Sequence, residues 1–151
     1  MSAILSSSQQ SILGAARVTV AFTSVYIVSM LHIIICKKRL LRKARLKGTD
    51  SSLNRYGHPE LHNADRLVAN LLEWSPIFLC PLWCLAVTDR LDQSCINFSW
   101  AYVLLRGLYV CLLIKFGVSR NGNNTQLWIS TLPAYGCLLF LWQRSLGLLF
   151  H

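Results

Sequence analysis

Four apolar stretches, each long enough to cross a lipid bilayer, constrain the fold of this chain more than any other feature. Val18–Cys36 runs for 19 residues without a charged side chain, and Leu67–Val87 and Ile96–Ile114 contain one charged residue each. A fourth stretch begins at Leu127. Because a membrane-spanning α-helix needs about 20 mainly apolar residues, the sequence predicts spanning helices over residues 18–36, 67–87, 96–114 and 127–148.

The composition agrees with a membrane protein of one small domain. Hydrophobic residues make up 54% of the 151 positions, and charged residues make up only 14%. A soluble domain usually carries about 25% charged residues. We therefore expect an all-α protein in which residues 1–151 form a single four-helix membrane bundle, with no separate soluble module.

A block of positive charge follows the first apolar stretch and predicts how the bundle is oriented. Eight basic residues lie between Lys37 and Arg55, against one acidic residue, Asp50. Loops rich in lysine and arginine stay on the cytosolic side and attract anionic lipid. We therefore expect membrane lipid, and no nucleic acid, as the partner of this block. The first and third loops are then cytosolic, and both termini and the second loop lie on the opposite side.

Polar residues inside the second and third apolar segments need a separate explanation, since a charged side chain in hydrocarbon costs roughly 2.5–3.5 kcal/mol or more. Arg66, Asn70 and Glu73 are spaced i, i+4 and i+7, which places them on one face of a helix. Arg106 and Tyr109, at i and i+3, share a face of the next helix. Because the rest of each helix is apolar, we expect these faces to point into the bundle.

Two interpretations of these residues stay open. In the first interpretation, Glu73 and Arg106 form a buried ion pair that fixes the register of two helices. In the second, the surplus of cationic and amide donors, which includes Arg66, Asn70 and Arg120, forms a site for an anionic, peptide-like ligand. The two carboxylates of glutathione suit such a site.

The order of these residues resembles the MAPEG family, the membrane-associated proteins of eicosanoid and glutathione metabolism. The pattern R-x-x-x-N-x-x-E-x-x-P on the second helix is followed by R-x-x-Y on the third, and TLPAY opens the fourth. The resemblance implies a homotrimer with glutathione as co-substrate. It also implies that the face bearing these residues lies between neighbouring subunits.

The resemblance implies a role for each polar residue. Arg66 would bind a carboxylate of glutathione, and Asn70 would form a hydrogen bond with the ligand. Glu73 would bind the amino group of glutathione. Tyr109 would add a contact, and Arg106 would orient Glu73 or the ligand. Arg120 would stabilise the glutathione thiolate, because a nearby guanidinium lowers the pKa of a thiol.

The expected function is therefore glutathione transfer to apolar electrophiles, or glutathione-dependent reduction of lipid hydroperoxides. The alternative is a non-catalytic member of the same fold that presents lipid to a partner or serves as a subunit of a larger membrane assembly. Leu113 favours this alternative, because it stands where many family members carry a second tyrosine.

The sequence also bears on the membrane in which the protein resides and on metal binding. The family's eukaryotic members usually reside in the endoplasmic reticulum, and a serine-rich N-terminus without acidic residues makes a mitochondrial membrane the alternative. No metal site is indicated, since Cys80 and Cys84 lie one helical turn apart with no histidine or further cysteine nearby.

Overall fold

Four long α-helices make up almost all of the described chain. The computed structural model describes residues 6–46, 59–116 and 125–147. Within these ranges the helices are α1 (Ser7–Leu46), α2 (Pro59–Val87), α3 (Gln93–Phe116) and α4 (Thr125–Leu146). The prediction of an all-α fold with four helices is confirmed.

The first helix is much longer than its predicted apolar segment. Its 40 residues extend over about 60 Å at 1.5 Å per residue, whereas the hydrocarbon core of a bilayer is about 30 Å thick. The apolar stretch Val18–Cys36 matches that thickness, and the basic residues that follow continue the same helix as far as Leu46. The predicted cytosolic block therefore begins as a helical extension of α1.

Three of the four helices are long and apolar enough to span a membrane, and the prediction of a fourth is not met over the described residues. The three lie within α1, α2 and α3. Helix α4 has 22 residues, which is long enough, but polar side chains interrupt its first half. Ser130, Thr131 and Tyr135 are the main interruptions, and Ser130 is fully buried against the bundle.

The helices form a four-sided bundle. Helix α1 packs mainly on α2, and α3 packs mainly on α4. Further contacts join α1 to α3 and α2 to α4, and α2 also touches α3 across the bundle. Around the bundle the order is therefore α1, α2, α4, α3, and α1 and α4 do not meet within the described ranges.

An aromatic cluster ties three of these helices together at the centre of the core. The rings of Phe22 on α1 and Phe78 on α2 lie 5.3 Å apart, and Phe78 stacks on Tyr102 of α3 at 4.2 Å between centroids. All three side chains are buried. Offset and tilted ring pairs of this kind add roughly 0.5–1.5 kcal/mol each beyond the burial of their area.

One end of the bundle is closed by polar contacts between elements that are distant in sequence. The hydroxyls of Ser7 and Ser11 on α1 donate to the carboxylate of Asp89, at 2.5 and 3.0 Å. In the same turn, Asp92 forms an ion pair with Arg144 near the end of α4. The start of α1, the α2–α3 turn and the end of α4 therefore lie together, as an up-and-down bundle requires.

The turn that follows α2 ends the helix with a left-handed residue. Asp89 has a φ of 55°, a conformation that aspartate tolerates better than most side chains. The N–H of Arg90 donates to the carbonyl of Leu85, and the N–H of Asp89 donates to that of Ala86. This pair of bonds is a Schellman motif, which satisfies carbonyls that the helix end would leave free.

Two prolines inside α2 each free a carbonyl four residues earlier, because proline has no N–H to donate. For Pro76 the carbonyl is that of Leu72, and the hydroxyl of Ser75 donates to it at 2.9 Å. The repair is thus local. Such compensation by serine side chains is what makes proline tolerable in membrane helices.

The second proline is compensated from another helix. Pro81 frees the carbonyl of Ile77, and the indole N–H of Trp142 on α4 donates to that carbonyl at 2.9 Å. An unpaired carbonyl is costly in lipid, where no water can replace the missing donor. The bond therefore links the packing of α4 on α2 to the presence of Pro81.

This link predicts a coupling between Trp142 and Pro81. Trp142→Phe keeps an aromatic ring but removes the donor, and we expect the free energy of unfolding to fall by about 1 kcal/mol. In a Pro81→Ala background the backbone N–H of residue 81 can serve the Ile77 carbonyl, so the same change should cost much less. Reversible unfolding in mixed detergent micelles measures both costs, and equal costs in the two backgrounds would contradict the coupling.

The carboxylate of Asp92 caps α3 and titrates accordingly. It accepts a hydrogen bond from the backbone N–H of Cys95 at 2.7 Å, and this bond, together with the pairing to Arg144, lowers the pKa of Asp92. A carboxyl with a lowered folded-state pKa contributes stability that is present above its unfolded pKa, about 3.9. That contribution is lost as the pH falls through the folded pKa.

We therefore expect Asp92→Ala to lower the free energy of unfolding by about 1 kcal/mol near pH 7, the usual value of a helix cap. The loss should shrink as the pH falls below about 4, because the carboxyl is protonated first in the unfolded chain and then, at its lower folded-state pKa, in the folded protein. Asp92→Asn keeps an acceptor for Cys95 and should lose less. Unfolding measured from pH 3 to pH 7 tests this, and a pH-independent difference between wild type and Asp92→Ala would refute it.

Candidate functional site

Two of the candidate residues, Asn70 and Arg106, meet at a buried guanidinium. Arg106 of α3 is 1% exposed. Its Nε donates to the hydroxyl of Tyr102 at 3.0 Å, and its Nη1 donates to Oδ1 of Asn70 on α2 at 3.2 Å. Its Nη2 is buried with no hydrogen-bond partner among the described residues. The structure thus joins two of the residues that the sequence analysis selected, Asn70 and Arg106.

Aromatic rings from three helices surround the same guanidinium. Its carbon lies 5.2 Å from the ring centre of Tyr102, 5.3 Å from that of Trp74 and 6.0 Å from that of Tyr135. Trp74 and Tyr135 stack on each other at 4.6 Å. A cation held against aromatic faces away from water gains about 2 kcal/mol or more. The rings therefore stabilise this charge in place of a carboxylate.

This arrangement lies at membrane depth. Arg106 precedes the end of its apolar stretch, Ile114, by eight residues, or about 12 Å along the helix. The half-thickness of the hydrocarbon core is about 15 Å. The hydrogen bonds and ring contacts therefore replace water at a depth where a solitary guanidinium would be strongly unfavourable.

The expected ion pair between Glu73 and Arg106 does not form. Glu73 is exposed, and no salt bridge or hydrogen bond joins it to Arg106 in the described part of the chain. Arg106 instead uses neutral acceptors, Asn70 and Tyr102. The register of α2 and α3 is therefore fixed without a buried carboxylate.

The polar face of α2 also points in a different direction from the one expected. Arg66 and Glu73 lie on the outer surface of the single chain, and only Asn70 turns partly inward. The reason is that another face of the same helix fills the core, with Leu67, Leu71, Phe78, Leu82 and Leu85 almost fully buried. Two charged side chains are thus presented to whatever surrounds the bundle.

The Asn70 side chain has a fixed orientation because arginine can only donate hydrogen bonds. Its Oδ1 faces Arg106, so its amide NH₂ group is directed away from the guanidinium. Asn70 is only partly buried and lies between the exposed Arg66 and Glu73 in sequence. The amide therefore offers a donor, and not an acceptor, beside these two charges.

The end of the bundle at which the basic residues Lys37 to Arg45 follow the apolar stretch of α1 is called the basic end below. Tyr109 lies one helical turn nearer to it than Arg106. It is 8% exposed, and the charges of Arg106 and Arg66 are both close enough to act on its hydroxyl. Leu113, one turn further on, is 2% exposed and belongs to the core. The position at which the family resemblance implies a second tyrosine is therefore apolar and buried in this chain.

Sequence reasoning missed three residues of this site and reached one that cannot be placed. Tyr102, Trp74 and Tyr135 all contact Arg106. A signal for Tyr102 was available, since it precedes Arg106 by four residues on the same helix. Arg120, the expected thiolate stabiliser, lies outside the described residues.

The comparison with known families matches nearly the whole bundle. The sequence model of the MAPEG family matches residues 17–147, a range that includes every candidate residue from Arg66 to Arg120. This confirms the resemblance drawn from the polar motifs. No curated protein sequence and no solved structure matches the chain.

The bond from Arg106 predicts that Asn70 has a structural role which Arg66 lacks. Asn70→Leu leaves a second guanidinium N–H group unpaired in the core, and we expect the free energy of unfolding to fall by about 2 kcal/mol. Asn70→Asp keeps an acceptor and should cost less. Arg66→Gln alters an exposed side chain and should change stability by less than about 0.5 kcal/mol. Unfolding in mixed micelles gives all three values, and a similar small effect at both positions would overturn the assignment.

Proposed function

The chain belongs to the MAPEG family, and on that premise we propose that it is a glutathione-dependent enzyme acting on apolar electrophiles or lipid hydroperoxides. It is an integral membrane protein, since three of its helices are apolar and long enough to span a bilayer. The observation that carries the proposal is a pair of exposed charged residues on α2. Arg66 lies at the edge of the apolar segment of this helix, and Glu73 lies within it.

These two residues need a polar partner. Glu73 lies six residues inside the start of its apolar stretch, or about 9 Å along the helix. A carboxylate facing hydrocarbon at that depth would cost roughly 2.5 kcal/mol or more. Within the described residues neither Arg66 nor Glu73 has a hydrogen bond or a salt bridge. A bound zwitterionic ligand, enclosed by a neighbouring subunit, removes that cost.

Arg66, Asn70 and Glu73 form a stripe along the outer face of α2. Glutathione has the groups that can pair with each residue of this stripe. Arg66 pairs with a carboxylate, the NH₂ group of Asn70 donates to a carbonyl or carboxylate oxygen, and Glu73 accepts from the amino group. Tyr109 adds a hydroxyl. Arg106 acts as a positioning residue, because it holds the Asn70 amide in the donating orientation.

The chemistry follows from the thiol. A free thiol with a pKa near 8.5 is only a few per cent ionised at neutral pH, and a guanidinium nearby raises that fraction. We assign this role to Arg120. In transfer, the thiolate sulfur forms a bond to an electrophilic carbon and either displaces a leaving group as its anion or opens an epoxide or conjugated double bond, whose electron pair then takes up a proton. In peroxide reduction, two glutathione molecules are oxidised to the disulfide while the hydroperoxide is reduced to an alcohol and water.

We further propose that the protein is a homotrimer in the endoplasmic reticulum, with a mitochondrial membrane as the alternative. The outward direction of Arg66 and Glu73 supports an oligomer, because a neighbouring subunit would cover them. The substrate would enter from the bilayer, where apolar molecules are concentrated beside the bound glutathione.

A second candidate function is supported by one observation. Leu113 is buried where many members of the family carry a second tyrosine, so this chain lacks one hydroxyl near the expected thiolate. A non-catalytic member that presents lipid to a partner, or that serves as a subunit of a larger assembly, would not need that hydroxyl. This candidate predicts glutathione binding without thiolate formation, or no binding.

The test is the ultraviolet absorbance of the glutathione thiolate. We expect purified protein in detergent to give a thiolate signal when glutathione is added near pH 7, and Arg120→Ala to lose that signal while retaining glutathione. Glutathione that binds to the wild-type protein without ionising would favour the non-catalytic candidate. Absence of any binding would refute the enzyme.

Glu73→Gln tests the binding stripe itself. Loss of a charged acceptor for the amino group should weaken glutathione binding roughly 10- to 100-fold, while the oligomer stays intact. Asp65→Asn is the matched control, since it removes the same charge from α2 at a partly buried position eight residues nearer the basic end. Calorimetric titration measures the affinities and size-exclusion chromatography the assembly. Dissociation of the oligomer in Glu73→Gln would instead assign Glu73 to subunit contacts.

A further inference from the structure

A second group of polar side chains, two of them cationic, lies at the basic end of the bundle. A cavity of about 410 Å³ opens between α1, α2 and α3, and His32, Arg39 and Lys115 line it together with the amide of Asn63. The rest of the described lining is apolar apart from the thiol of Cys36, whose sulfur lies 3.5 Å from Nε2 of His32. None of the described residues assigned to glutathione borders this cavity, and its lining includes Leu113, the position of the family's second tyrosine.

The positive charge of this cavity is not balanced by described residues. Its described lining contains no carboxylate, and neither Arg39 nor Lys115 forms a salt bridge with a described residue. The ammonium of Lys115 lies 5.1 Å from the ring centre of Phe116, a contact that leaves its N–H groups available. By contrast, the cavity of about 850 Å³ at the opposite end has lining residues of both signs, among them the paired Asp92 and Arg144.

Three of the polar groups that line the cavity share one depth in the membrane. Arg39, Lys115 and Asn63 lie three, one and four residues beyond the ends of the apolar stretches of their helices, or within about 6 Å of those ends. The apolar stretches of α1 and α3 are about 28 Å long, close to the thickness of the hydrocarbon core. These polar groups therefore lie at the level of lipid phosphates, with Leu113 and Ile114 directly below them.

We propose that this cavity binds the phosphate of an anionic lipid headgroup, in particular a phosphomonoester. Basic pockets between membrane helices on the cytosolic side suit such headgroups, and guanidinium and ammonium groups form charge-assisted hydrogen bonds with phosphate oxygens. Asn63 and His32 supply further donors. The acyl chains leave the pocket along Ile114 and Phe116, which are about half exposed, into the surrounding bilayer.

The test compares two pairs of charge removals. A phosphatidic acid with a fluorescent acyl chain is titrated with protein in uncharged detergent micelles, and binding is followed by fluorescence anisotropy. The double variant Arg39→Gln, Lys115→Gln removes two charges from the cavity. The control, Lys43→Gln with Arg45→Gln, removes two charges from exposed positions in the last turn of α1. Circular dichroism verifies that both variants are folded.

We expect the cavity variant to weaken binding at least ten times more than the control variant, with phosphatidylcholine binding weakly to all forms. Equal losses in the two variants would overturn the proposal, since they would indicate general attraction to the basic block. If inorganic phosphate at an equal concentration displaces the lipid, the cavity binds free phosphate, and the proposal that its ligand is a lipid is refuted. Displacement by glutathione would show that the cavity belongs to the glutathione site and would also overturn it.

Discussion

The burial of one guanidinium in an apolar bundle is the constraint on which the centre of this structure depends. Arg106 is 1% exposed at a depth where water cannot solvate it, so neighbouring helices must supply every compensating contact. Helix α2 contributes Asn70 and Trp74, α3 contributes Tyr102 and α4 contributes Tyr135. Three helices therefore contact each other around this guanidinium. The same contacts fix the orientation of the Asn70 amide, which lies between Arg66 and Glu73 on the outer face of α2.

Sequence reasoning could identify which residues share a helix face, but not what that face meets. The spacing of Arg66, Asn70 and Glu73 placed them on one side of α2, and the helix confirms this periodicity. Their outward direction was not predictable, because period 3.6 leaves the rotation of a helix within its bundle undetermined. The leucine-rich face of α2 packs in the core instead, where Leu67, Leu71 and Leu82 are fully buried among the side chains of the other helices. The expected pairing of Glu73 with Arg106 failed for the same reason.

Most of the structural features that the sequence did not predict are contacts between residues that are far apart in sequence. The indole of Trp142 serves the carbonyl that Pro81 leaves free, and the two residues lie on different helices. Likewise, the cationic cavity combines residues of three helices, none of which is unusual in its own segment. Compensation of this kind depends on the mutual placement of helices. Hydropathy predicted the number and order of the helices, but it carries no information about that placement.

The fixed amide of Asn70 gives the outer face of α2 a direction. Along the helix from the basic end inward, the groups presented are a cation at Arg66, an amide donor at Asn70 and an anion at Glu73, spread over about 10 Å. A molecule lying along this face must carry acceptors toward the aqueous end and its amine toward the membrane interior. The reverse orientation would set like charges together at both ends. The residues of this one helix thus distinguish the two ends of an extended zwitterion.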